Sequence, residues 1–284
     1  MVVGLLGNES PDSNRFILVT PKSENDVRLQ VTLGNQNPMG LPVGAVRRKN
    51  DKPIGARIGE AGFCILYLVT LIIFLFIIRG KWAAADNDSL YNPEFVRYRF
   101  AFLLTLLLLI GDSFHLIPRI IENLKGRTER LAFPLGLGNI ISSVTMTLFY
   151  NVLMKAGDGM EYHYEAYNLW VEQTILWLTM IRIALLLFPQ NAWFSPVGNR
   201  KWAVIRNVPF VLIGILTIIG YFGVIGNASN YPVSIFVQVI VAVALSFLTY
   251  LPVAIYGREK PKLGMLMIPK TMCYVWILAV LTFG

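Results

Sequence analysis

Charged residues are scarce in this sequence. They make up 15% of the 284 residues, whereas 55% are hydrophobic and the mean hydropathy is +0.56. Soluble domains carry about 25% charged residues, so a chain this apolar cannot cover its surface for contact with water. The composition therefore excludes an ordinary soluble domain and predicts that lipid is the solvent.

Cysteine and histidine are rare as well, with two residues of each. Two thiols cannot form a disulfide framework or a four-cysteine zinc site. Two histidines are too few for a multi-histidine centre without help from carboxylates. The sequence therefore predicts no metal site, and no motif in it indicates a cofactor.

Long apolar runs dominate what is present. A membrane-spanning helix needs roughly 20 mostly apolar residues, and the chain contains seven such segments after residue 59. The longest run has no charge between Asn207 and Gly257, but a cluster of Gly, Asn, Ser and Pro at 226–232 divides it into two helices. The predicted spans are residues 61–78, 100–118, 131–154, 170–188, 207–225, 233–256 and 263–283. We therefore predict an all-α integral membrane protein, in which residues 59–284 form a bundle of seven transmembrane helices.

Basic residues are concentrated in alternate loops. The flanks on one side of the predicted bundle hold fifteen Lys and Arg residues, and those on the other side hold five. Cytoplasmic loops carry this excess in membrane proteins, so we expect a cytoplasmic N-terminus and a C-terminus outside. The net charge of +8 then reflects contact with anionic headgroups and not with nucleic acid. We expect a multi-pass protein of the plasma membrane, whose main partner is the lipid bilayer.

The first 58 residues differ from the rest of the chain. They are rich in Gly, Asn, Ser and Pro and contain two short strand-like pieces, at 16–20 and 27–33. One hairpin of this kind is marginally stable by itself in water. We therefore expect residues 1–58 to form a polar, flexible cytosolic tail that includes at most a short β-hairpin.

Three charged residues stand out well inside the predicted spans: Asp112, Arg182 and Lys270. Charges within a membrane are costly and commonly mark functional sites. At about 1.5 Å of rise per residue, all three lie roughly 10–12 Å from the expected cytoplasmic boundary. Because the loop charges alone set the orientation, this common depth predicts one polar layer.

Further polar residues fall at the same depth. His115 and Arg119 follow Asp112 on one helix face, while Asn139 and Ser143 form a polar stripe on the third predicted helix. Tyr250 lies near the inner end of the sixth. The candidate ligand-binding or ion-coupling residues are Asp112, His115, Arg119, Asn139, Ser143, Arg182, Tyr250 and Lys270. One acid against two bases in the layer leaves a formal charge of +1, unless water or an anion compensates.

This charge balance favours a transporter or permease of a small anionic solute, with Asp112 and His115 suited to proton coupling. A purely structural use of the layer stays open, because interhelical polar contacts stabilise membrane bundles by roughly 0.6–2 kcal/mol. A non-catalytic subunit of a membrane complex, or an oligomer, is also compatible with the sequence. A retinal-binding protein is disfavoured, because the third helix offers Lys270 no acidic counter-ion.

An intramembrane hydrolase that acts on lipid is the alternative from a different class. The stretch Ile110–Leu116, followed by Leu135–Gly138 and Tyr150, resembles the first half of the lysoplasmalogenase-like membrane family. This resemblance implies a role for Asp112 and His115 as an acid/base pair. The second aspartate-bearing motif of that family is absent, since the sixth and seventh predicted helices contain no acid.

Overall fold

The computed structural model describes residues 53–85, 92–126, 131–161, 169–194, 199–257 and 261–284. Most of the predicted tail, with its hairpin, falls in residues 1–52 and lies outside the described residues. The described chain contains seven α-helices and no strand. In chain order they are α1 (Ile54–Ala84), α2 (Pro93–Lys125), α3 (Ala132–Glu161), α4 (Leu169–Leu187), α5 (Arg200–Gly226), α6 (Val233–Tyr256) and α7 (Met267–Phe283). Short 3-10 helices at Pro189–Asn191 and Pro261–Leu266 follow α4 and precede α7.

All seven helices are long and apolar enough to cross a membrane, counting α7 together with the end of the 3-10 turn before it. Their outward surfaces are rich in large exposed hydrophobic side chains, such as Phe76, Phe114, Trp177 and Leu248. Such surfaces are stable against lipid and not against water. The predicted all-α fold with seven spanning helices is confirmed, and the chain is a multi-pass integral membrane protein.

The helix boundaries are the main correction to the sequence prediction. We expected the second helix to cover 100–118, whereas α2 begins after the Asn92 cap, continues through Pro118 and ends at Lys125, before Gly126, whose φ is +89°. The first, third and fifth helices likewise extend beyond 61–78, 131–154 and 207–225. Hydropathy detects only the part of a helix that lies in hydrocarbon, while charged residues with good helix propensity continue it into the flanks.

Helices α2 and α3 approach each other closely through glycines. A Cβ atom added at Gly111 would overlap the side chain of Thr145, and one at Gly138 would lie 2.8 Å from the carbonyl carbon of Phe114. In membranes, small residues let helix backbones approach and pack, because no hydrophobic force drives helices together. This contact aligns the polar face of α2 with that of α3.

The basic end of the bundle is the end at which α1 begins and α2 finishes. Arg119 forms an ion pair with Glu60, with Nε and Oε1 2.9 Å apart, and Arg57 donates to the backbone oxygen of Asn123. Arg206, near the start of α5, donates to Asn191 at 2.9 Å. These contacts join the ends of neighbouring helices.

The opposite end is closed by a buried acid. Glu161, the last residue of α3, accepts hydrogen bonds from the backbone amides of Ser229, Asn230 and Tyr231 at 2.6–3.0 Å. It is only 1% exposed, although the predicted helix boundary left it in an open loop. Because those amides precede α6, the carboxylate fixes the turn between α5 and α6 to α3.

Candidate functional site

Arg182 is the most deeply buried cationic side chain among the described residues. It belongs to α4 and is 2% exposed. Its guanidinium carbon lies 3.4 Å from the ring centroid of Phe210 on α5. Neither Nε nor Nη1 has a hydrogen-bond partner among the described residues. The chain thus buries a guanidinium with two of its three nitrogens unpartnered, which is a costly arrangement.

Lys270 joins this region from α7. Its Nζ lies 4.6 Å from the ring centroid of Tyr250 and 5.4 Å from that of Tyr274, one helical turn further along. Lys270 is repelled by Arg182 and attracted by Asp112. It forms no ion pair within 4.0 Å in the described part of the chain, so its charge is held mainly by aromatic ring faces.

Asp112 is held by hydroxyl groups from two other helices. Tyr67 on α1 donates to Oδ2 at 2.7 Å, and Ser142 on α3 contributes a longer bond of 3.5 Å to Oδ1. Both are contacts that stabilise a carboxylate without a cation. Asp112 also attracts the ammonium group of Lys270, but from a distance greater than that of a direct ion pair.

Aromatic rings surround the two cations, and the tyrosine hydroxyls there are already engaged. Tyr250 donates to Oδ1 of Asn207, and the hydroxyl of Tyr150 is 3.0 Å from that of Ser246. The Phe210 ring packs edge-on against the rings of both tyrosines, with centroids 5.4–5.6 Å apart. We call the following set the polar cluster: Tyr67, Asp112, Tyr150, Arg182, Phe210, Tyr250, Lys270 and Tyr274.

Four of the eight predicted site residues meet in this cluster: Asp112, Arg182, Tyr250 and Lys270. The other four make their described hydrogen bonds and ion pairs elsewhere, although His115 is close enough to Lys270 to interact with its charge. Arg119 is paired with Glu60 at the basic end, and Ser143 donates to the backbone oxygen of Asn139 within its own helix. His115 interacts with the side chain of Asn139, while its Nδ1 is buried without a partner. The polar stripe of α3 is thus mostly used within α3 and against α2.

The sequence reasoning missed Tyr67, Phe210 and Tyr274. Tyr274 has a readable signal, because it follows Lys270 by four residues and shares its helix face. Tyr67 and Phe210 have none, since an aromatic residue in an apolar span usually packs against lipid or core. Only the assembled bundle brings these rings against the charges.

The formal charges of the cluster do not balance. Arg182, Lys270 and Asp112 sum to +1, and Arg206 adds to the positive potential at Arg182. An uncompensated charge away from water costs several kcal/mol, and a bound anion would remove that cost. A shallow groove at the opposite end, lined by Arg79, Trp82, Ala83 and Phe95, lies apart from the cluster.

No protein-family model, curated protein or solved structure matches this chain. Among the described residues, no group of three or more His, Cys, Asp or Glu side chains is placed to hold a metal ion. The fold defines the class: a multi-pass membrane protein, with a cluster of ionisable and aromatic side chains between its helices.

Proposed function

We propose that this protein is a transporter or permease of a small anionic solute, and that the anion is held at the polar cluster. The observation that carries the proposal is the Arg182 guanidinium, buried on α4 with Nε and Nη1 unpartnered. A charge in the membrane interior is expensive and is retained where function requires it. Lys270 adds a second cation, whereas Asp112 supplies a single negative charge.

The geometry favours binding over hydrolysis. A hydrolase built on Asp112 and His115 requires the two side chains to act as a pair. Instead, the Asp112 carboxylate is bound by Tyr67 and Ser142, and His115 interacts with Asn139. No observation in the cluster supports an activated nucleophile, whereas an unsatisfied guanidinium is a ready anion ligand.

The orientation is a second part of the proposal. Arg57, Arg119, Arg200 and Arg206 all lie at the basic end of the bundle. Cytoplasmic loops carry an excess of Lys and Arg, so in our proposal the basic end faces the cytoplasm. The membrane that we propose is the plasma membrane. Labelling of single cysteines placed at Arg200 and at Asn227 from each side of intact cells tests it. Labelling of the Arg200 position from outside would reverse the orientation.

The transport test uses purified protein in liposomes and radiolabelled anions. Uptake of acetate, chloride, sulfate and succinate is measured for the wild type, Arg182→Gln and Arg79→Gln. Arg79 is the matched control, because it also lies over an aromatic ring, that of Trp82, but is exposed at the opposite end. We expect the wild type and Arg79→Gln to take up at least one anion, and Arg182→Gln to lose at least ten-fold in rate, which corresponds to about 1.4 kcal/mol.

Two results would overturn the proposal. One is an absence of protein-dependent uptake of any of the four anions by the wild type. The other is equal uptake by the wild type and Arg182→Gln, because the unpartnered guanidinium would then have no part in transport.

A further inference from the structure

The stacking of Arg182 restricts where its ligand can lie. The guanidinium carbon lies 3.4 Å from the Phe210 centroid. If the guanidinium plane were perpendicular to the ring plane, at least one nitrogen would overlap the ring. The two planes must therefore lie nearly parallel. All N–H bonds of a guanidinium lie in its own plane, so every donor of Arg182 points sideways from the stack. An acceptor must approach in that plane.

A planar acceptor fits this arrangement best. A carboxylate group is planar, and its two oxygen atoms can accept two parallel hydrogen bonds from the guanidinium fork in a shared plane. A tetrahedral oxyanion such as sulfate can also offer two oxygens to the fork, but its other oxygens lie out of that plane, on the side of the Phe210 ring or opposite to it. A halide accepts bonds from any direction and gains nothing from the shared plane.

The charge count sets the valence of the ligand. Arg182, Lys270 and Asp112 leave a formal +1, so one monovalent anion neutralises the cluster. A divalent anion would leave a net −1 at a place where Asp112 already repels it. Arg206 contributes positive potential from nearby, but its guanidinium already donates to Asn191 and lies 4.2 Å from the Trp193 ring centroid.

The neighbouring hydroxyls offer little further recognition. Tyr67 is bound to Asp112, Tyr250 to Asn207, and Tyr150 to Ser246. An anion with many oxygens would thus find few free donors beyond Arg182 and Lys270. The faces of the aromatic rings suit an apolar substituent better than additional polar groups.

We propose that the ligand of the polar cluster is a small planar monovalent oxyanion, foremost a monocarboxylate of the size of acetate. This inference rests on the proposed function and specifies its substrate class. Arg182 supplies the hydrogen bonds, Lys270 supplies the second charge, and Asp112 limits the valence to one. Nitrate shares the planar shape and the charge of acetate but lacks its apolar substituent.

The test is the melting temperature of the detergent-solubilised protein in the sodium salts of acetate, nitrate, chloride, sulfate and succinate. Sulfate stabilises many proteins non-specifically. The measured quantity is therefore the rise in melting temperature that each salt causes in the wild type, minus the rise that it causes in Arg182→Gln. We expect saturating acetate to raise the melting temperature of the wild type by at least about 5 °C more than it raises that of Arg182→Gln. Nitrate should give a smaller rise, and chloride, sulfate and succinate should give almost none.

A second variant separates charge from geometry. Arg182→Lys keeps the positive charge but replaces the planar fork by a point charge. We expect anions still to raise the melting temperature of Arg182→Lys. The preference for acetate, measured as the half-saturating concentration of chloride divided by that of acetate, should be at least five-fold smaller than in the wild type. Arg79→Lys, at an exposed arginine, should keep the preference of the wild type. If Arg182→Gln does not fold, Arg182→Met takes its place as the reference in every salt, so that the non-specific effects of the salts still cancel.

Different results overturn different claims. A larger Arg182-dependent rise with sulfate, succinate or chloride than with acetate would refute the planar monovalent class and leave anion binding intact. Unchanged anion preference in Arg182→Lys would also refute it. Equal changes in melting temperature of the wild type and Arg182→Gln in all five salts would refute both the planar monovalent class of ligand and the proposed function.

Discussion

The hydroxyl of Tyr67 donates a 2.7 Å hydrogen bond to Oδ2 of Asp112 and so joins α1 to the polar cluster. Tyr67 is 4% exposed, and the only described cation that attracts the carboxylate from nearby is Lys270. A hydrogen bond from a hydroxyl to a carboxylate is charge-assisted and therefore strong. The bond therefore holds Asp112 in place between α1 and α3.

Replacing Tyr67 by Phe should destabilise the bundle by about 1–2 kcal/mol, because a hydrogen bond to a charged group is lost within the membrane. Unfolding in mixed micelles with increasing SDS measures the change. Tyr256→Phe removes a hydroxyl from a half-exposed ring on α6 and should change stability little. Equal stability of Tyr67→Phe and the wild type would mean that Asp112 does not depend on this bond.

The crossing of α2 and α3 gives a prediction about backbone distance. In Gly138→Ala the new Cβ would lie within 2.9 Å of the backbone of Phe114 and His115, so the helices must separate. We expect a loss of about 1–3 kcal/mol, as for other overpacked interiors. Gly62→Ala is the control, since its Cβ meets nothing within 4 Å, and the better helix propensity of Ala should leave it neutral or stabilised. Similar melting temperatures for the two variants would contradict the close crossing.

The buried acid at the end of α3 is expected to organise the turn between α5 and α6. Glu161→Gln removes the charge and one acceptor oxygen from a carboxylate that binds three backbone amides. We expect a loss of about 2–3 kcal/mol and faster hydrogen exchange of the amides of Ser229 to Tyr231. Glu172→Gln, in the first turn of α4, should leave that exchange unchanged. Protection of those amides in Glu161→Gln would show that the turn is held by other contacts.

The loop tyrosine at the same end predicts a specific loss of stability in alkali. Burial raises the pKa of Tyr231 from its ordinary value near 10 to about 12, although the neighbouring Arg97 acts in the opposite direction. The folded state then keeps this proton after the unfolded chain has released it, so stability is intact below pH 10 and declines between about pH 10 and 12.

Tyr231→Phe should make this alkaline decline smaller and cost little at neutral pH, because the Tyr231 hydroxyl is buried without a partner. Melting temperature against pH measures the decline in Tyr231→Phe and in the wild type. An unchanged decline in Tyr231→Phe would contradict the burial of this hydroxyl.

Much of the fold follows from the sequence because a membrane imposes a simple rule on length and polarity. The sixth helix was predicted with the observed bounds, since Pro232 precedes it and charges begin again at residue 258. The second was predicted too short, because Pro118 was interpreted as its end, whereas α2 continues through this residue to Lys125. A helix can continue through proline where its neighbours compensate for the lost bond.

The candidate site was predictable in its charges but not in its partners. Asp112, Arg182 and Lys270 stand out in apolar runs, and their common depth indicated one layer. Which group neutralises which depends on helix order and rotation, which hydropathy does not encode. The pairing of Asp112 with Tyr67 and the stacking of Arg182 on Phe210 are therefore visible only in the bundle.

The central claim is that Arg182 is held at a cost to stability for the sake of an anion. The measurement is the free energy of unfolding of Arg182→Met in SDS titrations at low ionic strength. The account predicts a gain of about 1–4 kcal/mol, since an unsatisfied buried charge is replaced by an apolar side chain. The control, Arg97→Met, should lose stability, because both Nη1 and Nη2 of buried Arg97 donate hydrogen bonds, to Gly284 and to Tyr98, and only its Nε is unpartnered. A loss of several kcal/mol in Arg182→Met would instead show that this guanidinium is a structural element of the bundle, and would contradict the account.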